Sequence, residues 1–287
     1  MNNIVPKRLR IAMTSTRFSV PLCLLVSLSP CLHVLLQAAD PKDEQITPKD
    51  VIKLFNDKDL TGLHAWVKGT GLEDPKKVFT AHDGLIHISG EVNGYLATDK
   101  EYRDYHLTAE FKWGDKTYGA KSVRNSGILV HAIGPDGGAN GVWMSCVECQ
   151  VAQGCVGDLI VIRGKDADDK EIPVSFKAET VLGPDKHPRW KKDGEVREFT
   201  KGQLWWNMHE PNFKELIDTR GKDDVESPLG EWTRMEVICA GNKITVIVNG
   251  HTVNECYDVN PSAGKILLQS EGFEIYFRNV EIRPLKK

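Results

Sequence analysis

No acidic side chain occurs in the first 39 residues, whereas Lys7, Arg8, Arg10 and Arg17 do, ahead of the mostly apolar stretch "FSVPLCLLVSLSPCLHVLLQA". A basic start, an apolar run and small residues before the first carboxylate, Asp40, have the layout of a secretory signal. Residues 1–39 are therefore expected to be removed, leaving a secreted or periplasmic protein. Beyond that segment no run is apolar enough to cross a bilayer, which excludes insertion once the signal is gone. An internal repeat is also missing, so a solenoid or propeller is excluded. So is any long apolar stripe at helical spacing, and with it a helical bundle. Of seven cysteines, Cys23 and Cys31 leave with the signal. The remaining five are an odd number and cannot all pair.

The expected mature chain has 248 residues with 33 basic and 40 acidic side chains, a net charge of about −7. A basic surface is lacking, which argues against nucleic acid and anionic membranes as partners. Residues 40–50 form a charged linker, and residues 51–287 have the length of one large β domain.

What is present is alternation. Along "YHLTAEFKWG", Tyr105, Leu107, Ala109, Phe111 and Trp113 share one face while His106, Thr108, Glu110 and Lys112 share the other. That is a half-buried strand. "SGILVHAIG", "SCVECQVAQG", "DLIVIRG" and the long C-terminal runs repeat the pattern, broken by the turn signals "AGNK", "VNGH" and "SEGF". The predicted class is all-β, a two-sheet antiparallel β-sandwich or jelly roll. Residues 163–231 interrupt the rhythm with charge, Gly and Pro, and read as a loop-rich insertion over one end or face. It carries Trp190, Trp205, Trp206 and His209, either loop packing or surfaces for stacking sugar rings. In "QLWWNM" Trp205 and Trp206 face opposite sides of any strand, so only one, Trp206 being the candidate, looks into a site.

The stretch "SCVECQVAQGCVGDL" at 145–159 poses the sharpest question. As a strand, it places Cys146, Glu148, Gln150 and Ala152 on one face and Ser145, Val147, Cys149 and Val151 on the other. Cys146 and Cys149 then point apart and do not chelate one ion, and no second ligand pair follows at zinc spacing. Cys239 and Cys256 lie about two inter-strand spacings apart, beyond disulfide reach; a Cys146–Cys155 bridge stays open. The polar face presents Glu148 and Gln150 between Trp143 and Asp158, the arrangement with which a concave sheet binds sugars.

"LFNDKDLTGLHAW", "RNSGILVHA", "WMSCVECQV" running to "GD", "SPLGEWTRMEVICAGNKITVIVNG" and "GKILLQSEGFEIYFRNVEIRPL" together resemble the 3-keto-disaccharide hydrolase domain family across residues 55–285. The resemblance implies a concanavalin A-like lectin/glucanase fold, export, and cleavage of glycosides oxidised at C3 by hydrolysis or elimination. A retaining glycosidase on this fold would carry two carboxylates about 5 Å apart on one strand. Here those positions read Glu148, Gln150 and Gln153, one acid and two amides. A 3-keto sugar removes the need for a second carboxylate there, because its ketone acidifies the C2 hydrogen. One base, one group for the enolate oxygen and one acid then suffice. Glu148 is the candidate base; Arg124 or His131 stabilises the enolate; Asp158, Glu271 or His209 serves as the acid; Asn125, Trp143, Gln150 and Trp206 bind substrate. No cofactor is required. A divalent metal on His131, Glu148 and Asp158 is a possible substitute electrophile that the spacing does not demand. The alternative is a non-catalytic carbohydrate-binding module, which needs aromatics and amides but no base.

Overall fold

A computed structural model describes residues 45–286. The expected signal lies outside the described residues. Among the described residues every regular element is a strand, and the strands form two antiparallel sheets of eleven and seven members. This is the all-β sandwich that the alternation predicts. Among the described residues no helix is long and apolar enough to cross a membrane.

The larger sheet is centred on Tyr105–Trp113, paired on one side with Thr233–Ala240 and on the other with Ile275–Pro284. The hairpins beside it use the turns read from sequence. Asn249 and Gly250 connect Val248 to His251 with φ of 47° and 83°, the two positive values that a tight type I′ turn requires. In the smaller sheet the order runs Gly202–Leu204, Leu159–Ile162, Ser145–Ala152, Asn125–Ile133, Lys265–Ser270, Gly94–Thr98, Leu63–Val67.

Between the sheets lies the main core. Phe111, Val237, Val246, Ile275 and Phe277 from one sheet meet Ile128, Val130, Val147, Cys149 and Val151 from the other. Cys149 therefore belongs to the interior, while Cys146 packs in a second cluster on the outer face of the smaller sheet. Strand alternation separates the two thiols, and the five cysteines among the described residues are free and buried. The Cys146–Cys155 bridge left open by the sequence is not formed.

The insertion departs from the expected set of loops. Ser175–Leu182, Pro188–Trp190 and Glu195–Phe199 extend the larger sheet, and Gly202–Leu204 adds a strand to the smaller one. Phe176, Ala178 and Thr180 point inward between outward Lys177 and Glu179, so the outward charges masked a genuine period of two. Residues 163–174 and 205–231 remain loop-like.

Candidate active site

The outer face of the smaller sheet is divided. Toward the Leu63–Val67 edge, Tyr95, Ala97, Leu129, Ala132, Met144, Cys146 and Leu267 form an apolar patch joined by Trp66 and Trp143. The segment 134–144 lies over it, so close that a Cβ on Gly137 would meet the Trp66 ring at 2.6 Å. Toward the other edge the face stays open as a cleft of about 410 Å³, lined by Asn125, Trp143, Glu148, Gln150, Gln269 and Glu271, with Asn140, Ile160, Ile162 and Arg163 completing the wall.

Glu148 sits on the floor of the cleft, only 4% exposed, between Leu129 and Ile160 on the flanking strands. Diagonally across from it Gly127, the partner of Gln150, has no side chain, and the gap is occupied: a Cβ there would stand 2.5 Å from Glu148 Oε1 and 3.1 Å from Gln269 Oε1. Burial, aided by the charge of Glu271 and opposed by the Gln269 amide, pushes the Glu148 carboxyl up to about 8. Burial likewise pushes Glu271 up to about 7. The second carboxylate missing from the Glu148 strand thus arrives from the turn after Lys265–Ser270.

Four acceptor oxygens here, Asn125 Oδ1, Glu148 Oε1, Gln150 Oε1 and Gln269 Oε1, are buried without a hydrogen-bond partner. Unpaired buried acceptors are costly in a native protein. Grouped in an open cleft, they are suited to the hydroxyl donors of a sugar. Arg163 supplies a cation in the wall; its guanidinium also contacts Glu171 and donates to the Thr200 carbonyl.

Residues 50–283 match the 3-keto-alpha-glucoside-1,2-lyase-like domain. The chain belongs to this family. Among solved structures, two candidate glycosyl hydrolases from Parabacteroides distasonis are similar, at 21% and 19% identity with TM-scores of 0.47. The matches cover 82% and 83% of this chain and 99% and 94% of theirs. A Bacillus licheniformis β-glucanase matches at 10% identity and TM-score 0.41, over 82% of this chain and 97% of its own. No curated protein matches significantly.

Within the lyase-like domain, Asn125, Trp143, Glu148, Gln150 and Glu271 line the cleft together. The other sequence candidates are placed elsewhere. Arg124 alternates with Asn125 and turns away; its Nε donates to Asp218 at 2.8 Å and its Nη1 to the Gly114 carbonyl at 2.6 Å. His131 falls at a bulge between Val130 and Ile133, with φ of 54°, which rotates it from the Leu129 face into the interior. There its ring meets Tyr105 edge-on, Nδ1 bonds to the Pro261 carbonyl, and burial lowers its pKa to about 4.

Asp158 is fully buried and accepts from the Trp206 backbone N–H and the Gln203 amide, each at 2.6 Å. Trp206 is 2% exposed, its indole N–H spent on the Gly154 carbonyl, so it stacks in the core and not on a ligand. His209 is enclosed by Trp205 and Phe213, and burial lowers its pKa to about 4. His131, Glu148 and Asp158 therefore do not converge as a ligand trio, and no cluster of three or more His, Cys, Asp or Glu among the described residues is arranged to hold a metal. Gln153 is also structural, its carbonyl accepting from the backbone of Arg124 and Asp218.

Sequence reasoning missed Gln269, Asn140, Arg163 and Gln203. For Gln269 a signal existed: in "LLQSEG" it alternates with Leu267 and Glu271 on one strand face. Arg163 and Asn140 belong to loops whose placement depends on distant packing.

Proposed function

We propose that this lyase-like domain is an exported enzyme that cleaves 3-keto-glycosides, with Glu148 as the base at C2 and Glu271 as the proton donor to the leaving oxygen. The observation that carries the reading is the pair of carboxyls, Glu148 buried and Glu271 half-buried, both raised toward neutrality in one cleft that also holds amides, Trp143 and Arg163. Near neutral pH the pair holds one proton; Glu271, raised to about 7, ionises before Glu148, raised to about 8, so the reacting form, with Glu148 ionised and Glu271 protonated, is the minor arrangement of that proton. One base and one acid is what the reaction asks for.

In the proposed sequence the Glu148 carboxylate takes the C2 proton, and the C2–H electrons form the C2=C3 bond of an enolate. Arg163 and the amides of Asn125 and Gln150 stabilise the C3 oxygen. The enolate re-forms the ketone as the C1–O bond breaks, leaving a C1=C2 double bond, and the departing oxygen takes the proton held by Glu271. Water adding across C1=C2 would make the net reaction a hydrolysis. General acid–base groups so placed contribute roughly 10²–10⁴-fold each.

Incubating the enzyme with a 3-keto-glucoside and its unoxidised parent tests the reading. Release of aglycone from the ketone alone is expected, because the parent's C2 hydrogen is not acidic. Sugar binding without turnover of any 3-keto substrate would favour the binding-module alternative. Export rests on the basic, apolar, small-residue order of residues 1–39. N-terminal sequencing of the native protein is expected to begin near Asp40, and a retained Met1 would contradict it.

A further inference from the structure

A second cavity of about 280 Å³ adjoins the cleft, and Asn125 and Gln150 line both. The smaller cavity adds Ser122, Gln203 and Glu215 as polar walls over a floor at Ala152 and Cys155. No aromatic side chain lines it, in contrast to the cleft with its Trp143.

Gln203 owes its position to two features. Its strand pairs with Leu159–Ile162 so that Gln203 lies opposite Ile160, which in turn lies opposite Glu148. Gln203 and Glu148 therefore occupy one row of the outer face, two strand spacings or about 9.6 Å apart at the backbone. Beneath it the buried Asp158 accepts one amide N–H at 2.6 Å and anchors the following chain through the Trp206 N–H. That bond fixes the amide and leaves its carbonyl oxygen and second N–H for a ligand. Burying a carboxylate is costly, and hydrogen-bonding it to an amide that faces a cavity is the pattern of a supported binding group.

We propose that this cavity is the leaving-group subsite, that it takes a hydroxylated, non-aromatic aglycone of about one sugar ring, and that Asp158 is a positioning residue acting through Gln203. The inference rests on the 3-keto-glycoside reading above. It places the scissile bond at the junction marked by Asn125 and Gln150, whose unpartnered oxygens receive hydroxyls from the two rings.

The test compares wild type, Gln203→Ala and Asp158→Asn on a 3-keto-disaccharide and on methyl 3-keto-glucoside, which lacks the second ring. The expected result is that the kcat/KM ratio of disaccharide to methyl glycoside falls roughly 10-fold or more in Gln203→Ala, the size of one lost hydrogen bond to a fixed partner. Asp158→Asn is expected to shift the ratio the same way by less. Equal losses on both substrates, or no loss, would overturn the assignment. If wild type turns over neither ketone, the catalytic reading fails and the subsite is judged by calorimetric titration with the unoxidised disaccharide. Affinity weakened about 10-fold by Gln203→Ala then supports it; equal affinity, or no binding to wild type, overturns it.

Discussion

Glu148 and Glu271 are the same kind of group near each other, and their different burial sets which of them ionises first. Glu148 is enclosed by Leu129 and Ile160, while Glu271 is half-buried on a turn. With carboxyls raised to about 8 and about 7, kcat/KM is expected to rise as the base loses its proton and fall as the acid loses its own. The expected profile is a bell whose limbs near pH 7 and 8 belong to the pair. Glu271→Gln leaves Glu148 as the one titrating carboxyl of the pair, so the bell is expected to give way to a single rise with pH as Glu148 ionises, without the alkaline fall. An unchanged profile would contradict the coupling. At this scale the sequence was informative where alternation held: Glu148, Gln150 and Asn125 share the face that period two assigns them. It misled at His131, because the extra residue of a bulge reverses every inside–outside assignment locally. For Asp158 and Trp206 it could not show that two polar groups in the strand-rich region satisfy each other and not a ligand.

At the scale of elements, the cleft exists because three strands cooperate: Ser145–Ala152 supplies the base, Lys265–Ser270 brings Gln269 and leads into Glu271, and Asn125–Ile133 contributes a gap at Gly127. Gly127→Ala would place a methyl 2.5 Å from Glu148 Oε1, the end of a side chain that can swing aside. Turnover is therefore expected to fall by about 10²-fold through misplacement of the base, with thermal stability nearly unchanged; full activity in this variant would argue against Glu148 occupying its observed position during catalysis. The hairpins were legible because Asn-Gly and Gly-Asn carry their own backbone preference. The insertion was not, since Lys177, Glu179 and Glu198 dilute the apolar count of its strands.

For the whole molecule, two sheets packed over one core hold a floor rigid enough to keep unpaired acceptors buried, and the 134–144 segment confines the open surface to one half of it. The sandwich was readable from alternation and turn spacing, but the partition of the outer face was not, because it depends on Trp66 reaching Gly137 across 71 positions of chain. The central claim is removal of the C2 proton by Glu148, and a kinetic isotope effect at C2 reads it directly. A 3-keto-glucoside carrying deuterium at C2 should be cleaved by wild type with a primary isotope effect, and Glu148→Gln should lose roughly 10²–10⁴-fold in rate on the protiated substrate. Cleavage by wild type with no isotope effect at C2, together with full activity in Glu148→Gln, would contradict it.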